Sequence, residues 1–310
     1  MENLLNMKIE KASPDLEVEV IFKGLCAHCG SCFCPHIEYQ KDGLPKILDS
    51  CNETVGKCYN SCPRTSLDIA DIDRKMFGKL RENEFLGHYE KSYLVKSKQS
   101  IINAFIETAF KASLVDSFIV PKNESKKPVN NIPQVVQKLK DIPELSSKNL
   151  DYTGPLVSGI NDAYLFGLKS VGIIGNPCHF QGIAKIMYSD FHTGIQAQSL
   201  KIAVMCAAGG ATGCMYCADY AGEFSDISYS DIGTEKDHSI VLVRTALGQK
   251  LVDTAVKNKL IEIINDSPDL AKIIELARKK KSRNIENLLK LQNGKIGYLE
   301  LTRKSLSALF

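Results

Sequence analysis

The sequence predicts an α/β fold: a mainly parallel, mixed sheet as the core, with a small cysteine-rich module in front of it. Three observations lead there. Between residues 90 and 248, short apolar runs alternate with stretches of helical periodicity. Residues 24–70 lack that periodicity and are rich in Cys, Gly, Pro and Asn, so they cannot bury enough apolar surface without a staple. The eleven cysteines fall into two groups, seven between positions 26 and 62 and four between 178 and 217. Scattered core thiols would not segregate in this way.

Residues 1–23 read as a leader ending in the alternating, strand-like LEVEVIF (16–22). After the 24–70 module, KSYLVKS (91–97) reads as a strand. Residues 99–114 place Ile101, Ile102, Phe105, Ile106, Ala109 and Phe110 at helical spacing. VDSFIV (115–120) reads as a strand. Residues 121–155 hold five of the eleven prolines and read as a loop-rich connector. A helix (156–170), a strand (VGIIG, 171–175), a helix (180–189) and a strand (KIAVM, 201–205) follow, then a strand pair around a charged loop (226–248). The C-terminal segment, 249–310, is predicted to be helical, with helices at 249–258 and 268–292. Ser267 is the expected N-cap of the second, Pro268 its first residue and Asn293-Gly294 its stop. Its run Arg278-Lys279-Lys280-Lys281 is expected to be a solvated face.

With 310 residues the chain can form two domains, and 44% hydrophobic with 24% charged residues is ordinary globular composition. A net charge of +3 makes no case for nucleic-acid binding. No apolar run reaches the length of a membrane span, and the N-terminus lacks the basic-then-apolar order of a signal peptide. The expected location is the cytoplasm, with any membrane contact made through a partner. In a reducing compartment cysteines at this density point to metal or redox chemistry rather than to disulfides.

Cys26, Cys29 and Cys32 form C-x2-C-x2-C, a spacing that presents three thiolates from one short loop to a four-iron, four-sulfur (4Fe-4S) cluster. Gly30 suits the tight turn, and Cys62-Pro63 fits the distant fourth ligand. The pattern is that of a ferredoxin-type module. Cys34, Cys51 and Cys58 remain, three thiols without an obvious fourth, and suit either an altered further cluster or free thiols. His28, His36, Asp49 and Glu53 are the nearby non-cysteine candidates.

In the second group, Cys178 follows the strand VGIIG, Cys206 ends KIAVM, and Cys214 and Cys217 form C-x2-C. Ligands gather beyond the carboxyl ends of parallel strands, so four thiolates at one sheet edge can hold a cubane or a zinc ion. His179 reads as a helix-start residue or a donor to the site rather than a ligand. The glycines at 209, 210 and 213 read as letting the backbone approach the centre.

Three segments carry a family resemblance. GCMYCADYAGEFSDISYSDIG (213–233) with VRTALGQKLVDTAVKNKLIE (243–262), GIIGNPCHFQGIAKI (172–186) and the cysteine-rich module resemble the beta subunits of coenzyme F420 hydrogenases and dehydrogenases. The resemblance implies an iron–sulfur flavoprotein with the boundaries 24–70 for the ferredoxin-like module and 90–248 for the core. It implies Cys178, Cys206, Cys214 and Cys217 as the core cluster ligands, and FAD and coenzyme F420 as further cofactors. The implied partners are redox subunits of hydrogenase, formate dehydrogenase or heterodisulfide reductase type. Two departures bear on this. The family's Gly-Gly opening of the first core helix is SKQSIINAF (97–105) here, and only AAGGATG separates Cys206 from Cys214. The sequence thus leads to an iron–sulfur oxidoreductase subunit that relays electrons within a complex. The alternatives are active flavin-dependent F420 chemistry and a non-redox zinc scaffold.

Overall fold

The computed structural model describes residues 9–49, 51–123, 131–143, 145, 154–187, 199–207, 210–232, 234–235 and 237–309. The chain enters through a short helix, α1 (Ser13–Leu16), that runs into a π-turn (Glu17–Ile21). This corrects the strand expected from LEVEVIF. A strand would put Leu16, Val18, Val20 and Phe22 on one face. The structure buries Leu16 and Val20, four residues apart, and leaves Val18 56% and Phe22 72% exposed, so the helical spacing prevails.

The cysteine-rich segment holds a small antiparallel pair, β1 (Ile37–Tyr39) and β2 (Pro45–Ile47), and a single helical turn, α2 (Lys57–Ser61). β3 (Leu67–Asp68) leads into α3 (Ile69–Phe77), whose first turn is capped by the Asp68 carboxylate accepting the Asp71 amide at 2.9 Å.

The core then alternates as expected: β4 (Lys91–Lys96), α4 (Ile101–Lys111), β5 (Ser117–Asn123), β6 (Asn131–Val136), α5 (Gly159–Leu165), β7 (Val171–Gly175), α6 (Pro177–Met187), β8 (Leu200–Val204), β9 (Ile227–Ser230), β10 (His238–Val243), α7 (Ala246–Lys257) and β11 (Glu262–Asn265). The proline-rich connector contains a strand that the sequence hides. Its prolines did not forbid β6 because the strand lies at the sheet edge, where a missing N–H costs little. Residues 124–130, 144 and 146–153 of the connector lie outside the described residues.

One sheet of eight strands, among the described residues, runs in the order β11-β4-β10-β9-β8-β7-β5-β6. Its centre, β9-β8-β7-β5, is parallel, and antiparallel strands extend both edges. Alternate residues of the central strands serve opposite faces. Ile174, Ile202 and Val204 pack beneath α4 and α7, with Phe105 and Leu251. Ile173 and Ala203 face the other way, into a cluster shared with Phe180 and Ile183 of α6 and with Leu16, Phe33, Tyr59 and Leu67 of the N-terminal segment. The cysteine-rich segment therefore borrows the core of the sheet for its stability.

The long helix α8 (Ala271–Leu291) is followed by β12 (Leu299–Glu300), paired parallel with β3, and by α9 (Arg303–Leu309). α8 opens at Ala271 rather than at Pro268. The Ser267 amide is engaged by Asn265 Oδ1 (2.9 Å) in the turn after β11, and Asp269 Oδ1 accepts the Ala271 amide (2.9 Å). The predicted stop holds: Asn293 and Gly294 take φ of 52° and 86°, and the Gly294 amide donates to Leu289 O at 2.8 Å. Among the described residues no helix is long and apolar enough to cross a membrane.

Candidate metal centres

The loop after the N-terminal helical turns carries Cys26, Cys29 and Cys32, while Cys62 follows the end of α2. All four line one narrow cavity with Tyr39, Pro63 and Arg64. Gly30 makes this loop possible: its φ is +82°, and a Cβ there would lie 2.4 Å from the Pro155 carbonyl oxygen. Backbone amides already point at sulfur. The His28 amide donates to Cys26 Sγ and the Arg64 amide to Cys62 Sγ, both at 3.4 Å. Tyr39 donates its hydroxyl to Gly30 O (3.0 Å) and lies 3.7 Å from Cys32 Sγ. Burial pushes the Cys26 and Cys32 thiols up and Cys62 up to about 11, with the neighbouring sulfurs adding repulsion. Free thiolates would be costly here, and metal ligation is what would hold them deprotonated.

The second group sits beyond the carboxyl ends of two neighbouring parallel strands. Cys178 is the second residue of α6, directly past β7, and Cys206 lies two residues past β8. Cys214 is inside the 3₁₀ turn Thr212–Tyr216, and the Cys217 amide closes it on Cys214 O at 3.2 Å. Burial pushes the Cys178 thiol well up, and the charges of Cys29, Cys217, Cys214 and Cys206 add to it. The four thiols expected to form this centre are thus within electrostatic reach of one another. From α8, Asn284 Nδ2 donates to the carbonyls of Cys214 (3.0 Å) and Cys217 (2.7 Å), which fixes the turn.

The two groups, far apart in sequence, adjoin in space. Cys29 and Cys178 pack together with Ala27 in one buried cluster. The Val157 amide donates to Cys29 O (3.0 Å) and the Gly213 amide to Cys26 O (3.1 Å). A Cβ on Gly213 would stand 2.2 Å from Leu25 O and 2.4 Å from Cys26 O. This glycine lets one cysteine loop lie against the other, which refines its expected role. Gly210 is exposed, and Gly209 lies outside the described residues.

Sequence reasoning missed three buried cations around these thiols. Arg64, 2% exposed, donates Nη1 to Gln181 Oε1 (3.0 Å) and stacks 4.9 Å from the Tyr298 ring centroid. Burial opposes its charge, yet Tyr298 and the thiols of Cys217 and Cys178 hold it above its ordinary value. Lys185 of α6 donates to Cys62 O (2.7 Å) and Thr65 Oγ1 (2.6 Å), and burial brings it down to about 8. Lys280, expected on a solvated face, is 4% exposed and donates to Cys206 O at 2.7 Å. Burial opposes its charge too, but Cys217, Cys206, Asp219 and Cys214 raise it. Lys281 likewise turns inward, onto Glu223 Oε1 (2.9 Å) and Glu84 O (2.6 Å). The signal was present: 273, 277, 280, 284 and 288 repeat at helical spacing, so Lys280 lies on the stripe of Ile273, Ala277 and Leu288.

Of the remaining cysteines, Cys34 and Cys58 face each other. Their mutual hydrogen bond brings Cys34 down to about 6 and pushes Cys58 up. Cys51 is half-buried. His36 pairs with Asp49 at 2.6 Å on the surface, and His28 Nδ1 lies 2.7 Å from Asp42 O. Among the described residues no three His, Cys, Asp or Glu side chains converge on a single ion. His179 is held at both ring nitrogens: Nδ1 accepts the Asn176 amide (2.9 Å), and Nε2 lies 2.9 Å from Gly154 O. Burial lowers it to about 4, so it is a neutral helix-start residue.

The segment expected to face a flavin borders a separate pocket of ≈ 520 Å³ at the start of α4, lined by Ser97–Ile101, Tyr229, Asp231, Glu235, Asp237 and His238 among others. Among the described lining residues three carboxylates face one lysine, Lys98. Gly233 of SDIG lies outside the described residues. In VRT, Arg244 is fully buried and donates to the carbonyls of Leu86, His88 and Ala221 and to Ser228 Oγ, while Thr245 caps α7. Both residues have structural work here.

Comparison with known proteins agrees with this architecture. The chain is 24% identical to a coenzyme F420-dependent sulfite reductase of Methanocaldococcus jannaschii over 86% of its own length, and it spans about half (51%) of that protein. It is 23% identical to an uncharacterized protein of the same organism, covering 89% of this chain and 99% of that one. A chain of the F420-reducing [NiFe] hydrogenase complex from Methanosarcina barkeri shares the fold, with a TM-score of 0.60 at 20% identity over 66% of this chain and 93% of that one. Residues 208–269 match the family described as the C terminus of the coenzyme F420 hydrogenase/dehydrogenase beta subunit. That segment, which includes the C-x2-C turn, β9, β10 and α7, carries the chain's similarity to the coenzyme F420 hydrogenase/dehydrogenase beta subunits.

Proposed function

We propose that the chain is an electron-relay subunit of a larger redox complex, carrying two 4Fe-4S clusters. Cys26, Cys29, Cys32 and Cys62 would hold one in a ferredoxin-like module, and Cys178, Cys206, Cys214 and Cys217 the other. The observation that carries this reading is the packing of Cys29 against Cys178, one from each set of four thiols, in one buried cluster. Such clusters, when bound, take up and release single electrons.

The protein's own residues fit that chemistry. Two backbone amides aim at Sγ atoms, buried cations offset thiolate charge, and apolar packing keeps water out. Among the described residues the thiols do not converge on one ion, as four ligands of a zinc ion would have to. Cys34, Cys51 and Cys58 are assigned as thiols that hold no cubane of their own.

The relay reading is preferred to a flavin- and F420-binding one because of the pocket at α4. The carboxylates of Asp231, Glu235 and Asp237 in its described lining disfavour the phosphates that both cofactors bear. A partner subunit of hydrogenase or reductase type would then supply or drain the electrons. Purification without oxygen, followed by flavin analysis and an assay of F420 reduction, tests this. Clusters without flavin and no F420 turnover are expected; stoichiometric flavin with F420 turnover would refute the relay assignment.

A further inference from the structure

We infer that Arg64 is an electrostatic element shared by both cysteine groups, a fixed positive charge seated between them with N–H groups free for cluster or thiolate sulfur. This deepens the two-cluster reading above and rests on it. Three contacts define the position. Arg64 lines the N-terminal cavity, and its amide is bonded to Cys62 Sγ. Its Nη1 reaches Gln181, three residues past Cys178 on α6. Its guanidinium stacks on Tyr298, whose hydroxyl donates to Tyr216 O (2.8 Å) inside the Cys214–Cys217 turn. The side chain thus touches the structural frame of both groups.

The second observation is an unmet demand. Arg64 Nε and Nη2 are buried and make no well-formed hydrogen bond among the described residues, although the guanidinium lies within reach of the Cys217 sulfur. Leaving such donors unpaired away from water is expensive, and the cost is greater for a charged group. Among the described residues no carboxylate pairs with this guanidinium, and the acceptors that the surroundings can still offer are sulfurs. A cation held this way favours the more negative, reduced state of each neighbouring cluster, so it raises both reduction potentials.

The test is a potentiometric titration of anaerobically purified protein, followed by electron paramagnetic resonance, for wild type, Arg64→Gln and Arg64→Lys. Iron and sulfide are counted first. Wild type with fewer than two clusters would sink the two-cluster reading itself, and this inference with it. With two clusters present, Arg64→Gln is expected to lower both midpoints, each by about 59 mV or more, a tenfold loss of electron affinity for a one-electron couple. Arg64→Lys should restore most of both shifts. A shift in one centre alone, in neither, or an equal shift in the Lys variant would overturn the assignment. Should Arg64→Gln emerge without iron, the Lys variant decides. Full iron with near-native midpoints supports a charge role; iron loss there as well refutes it.

Discussion

Replacing Glu223 by Gln probes the clamp that holds α8 over the second cysteine group. Glu223 follows the C-x2-C turn, is 2% exposed, and bridges Arg81 and Lys281, the latter at 2.9 Å. Arg81 is also bound to Asp73 at 2.6 and 2.9 Å, so the cluster ties α3 to α8. Burial alone would raise the Glu223 carboxyl, but Arg81 and Lys281 outweigh it and bring it from 4.5 down to about 2. That difference corresponds to about 3 kcal/mol of stability. Burial first, and repulsion from Glu223 second, hold Asp219 up at about 6; relief of that repulsion returns part of the loss, so a net loss of about 2–3 kcal/mol is expected. Because the folded value is depressed, the contribution is complete above pH 4.5 and is lost as the pH falls toward 2. Anaerobic urea unfolding at pH 7 should show the full difference, and the gap between wild type and variant should close across that acid window. At about 2 °C per kcal/mol the Tm should fall by on the order of 5 °C. A loss under about 1 kcal/mol at pH 7, or a gap independent of pH down to 2, would refute the clamp.

Three further outcomes are expected. Gly213→Ala has no room against the Leu25 and Cys26 carbonyls, so it should cost about 1–3 kcal/mol and lower the iron content of the second centre, read by thermal unfolding and iron analysis. Cys178→Ala should remove about half of the iron–sulfur absorbance while Cys34→Ala leaves it unchanged, since Cys34 faces Cys58 rather than either four-thiol group; equal losses would refute that division. Arg244→Met strands three carbonyls, so it should destabilise the fold by about 3 kcal/mol or more while iron per folded chain stays constant; a selective loss of cofactor would point to a binding role instead.

The partition of the cysteines was legible because ligand spacing is a local property. C-x2-C-x2-C and C-x2-C each sit on one turn, and the strand-end positions of Cys178 and Cys206 follow from alternation. The alternating core was legible for the same reason. The buried cations were not, because a cationic residue in sequence signals water, and only a partner elsewhere in the chain reverses that. Lys280 turns inward for the Cys206 carbonyl, 74 residues away, and Arg64 for Gln181, 117 residues away. LEVEVIF misled because its alternation mimics a strand while, among the described residues, no strand pairs with it. β6 was hidden because edge position, which tolerates Pro133, is a property of the sheet rather than of the segment. The adjacency of Cys29 and Cys178 has no local signature at all.

The central claim is that the two cysteine groups hold two clusters side by side. Iron and acid-labile sulfide counting on anaerobic protein, with paramagnetic resonance of the fully reduced sample, tests it most directly. The account predicts about eight irons and eight sulfides per chain, with spectra broadened by spin coupling between neighbouring centres. Zinc without sulfide, four irons, or two uncoupled signals would contradict it.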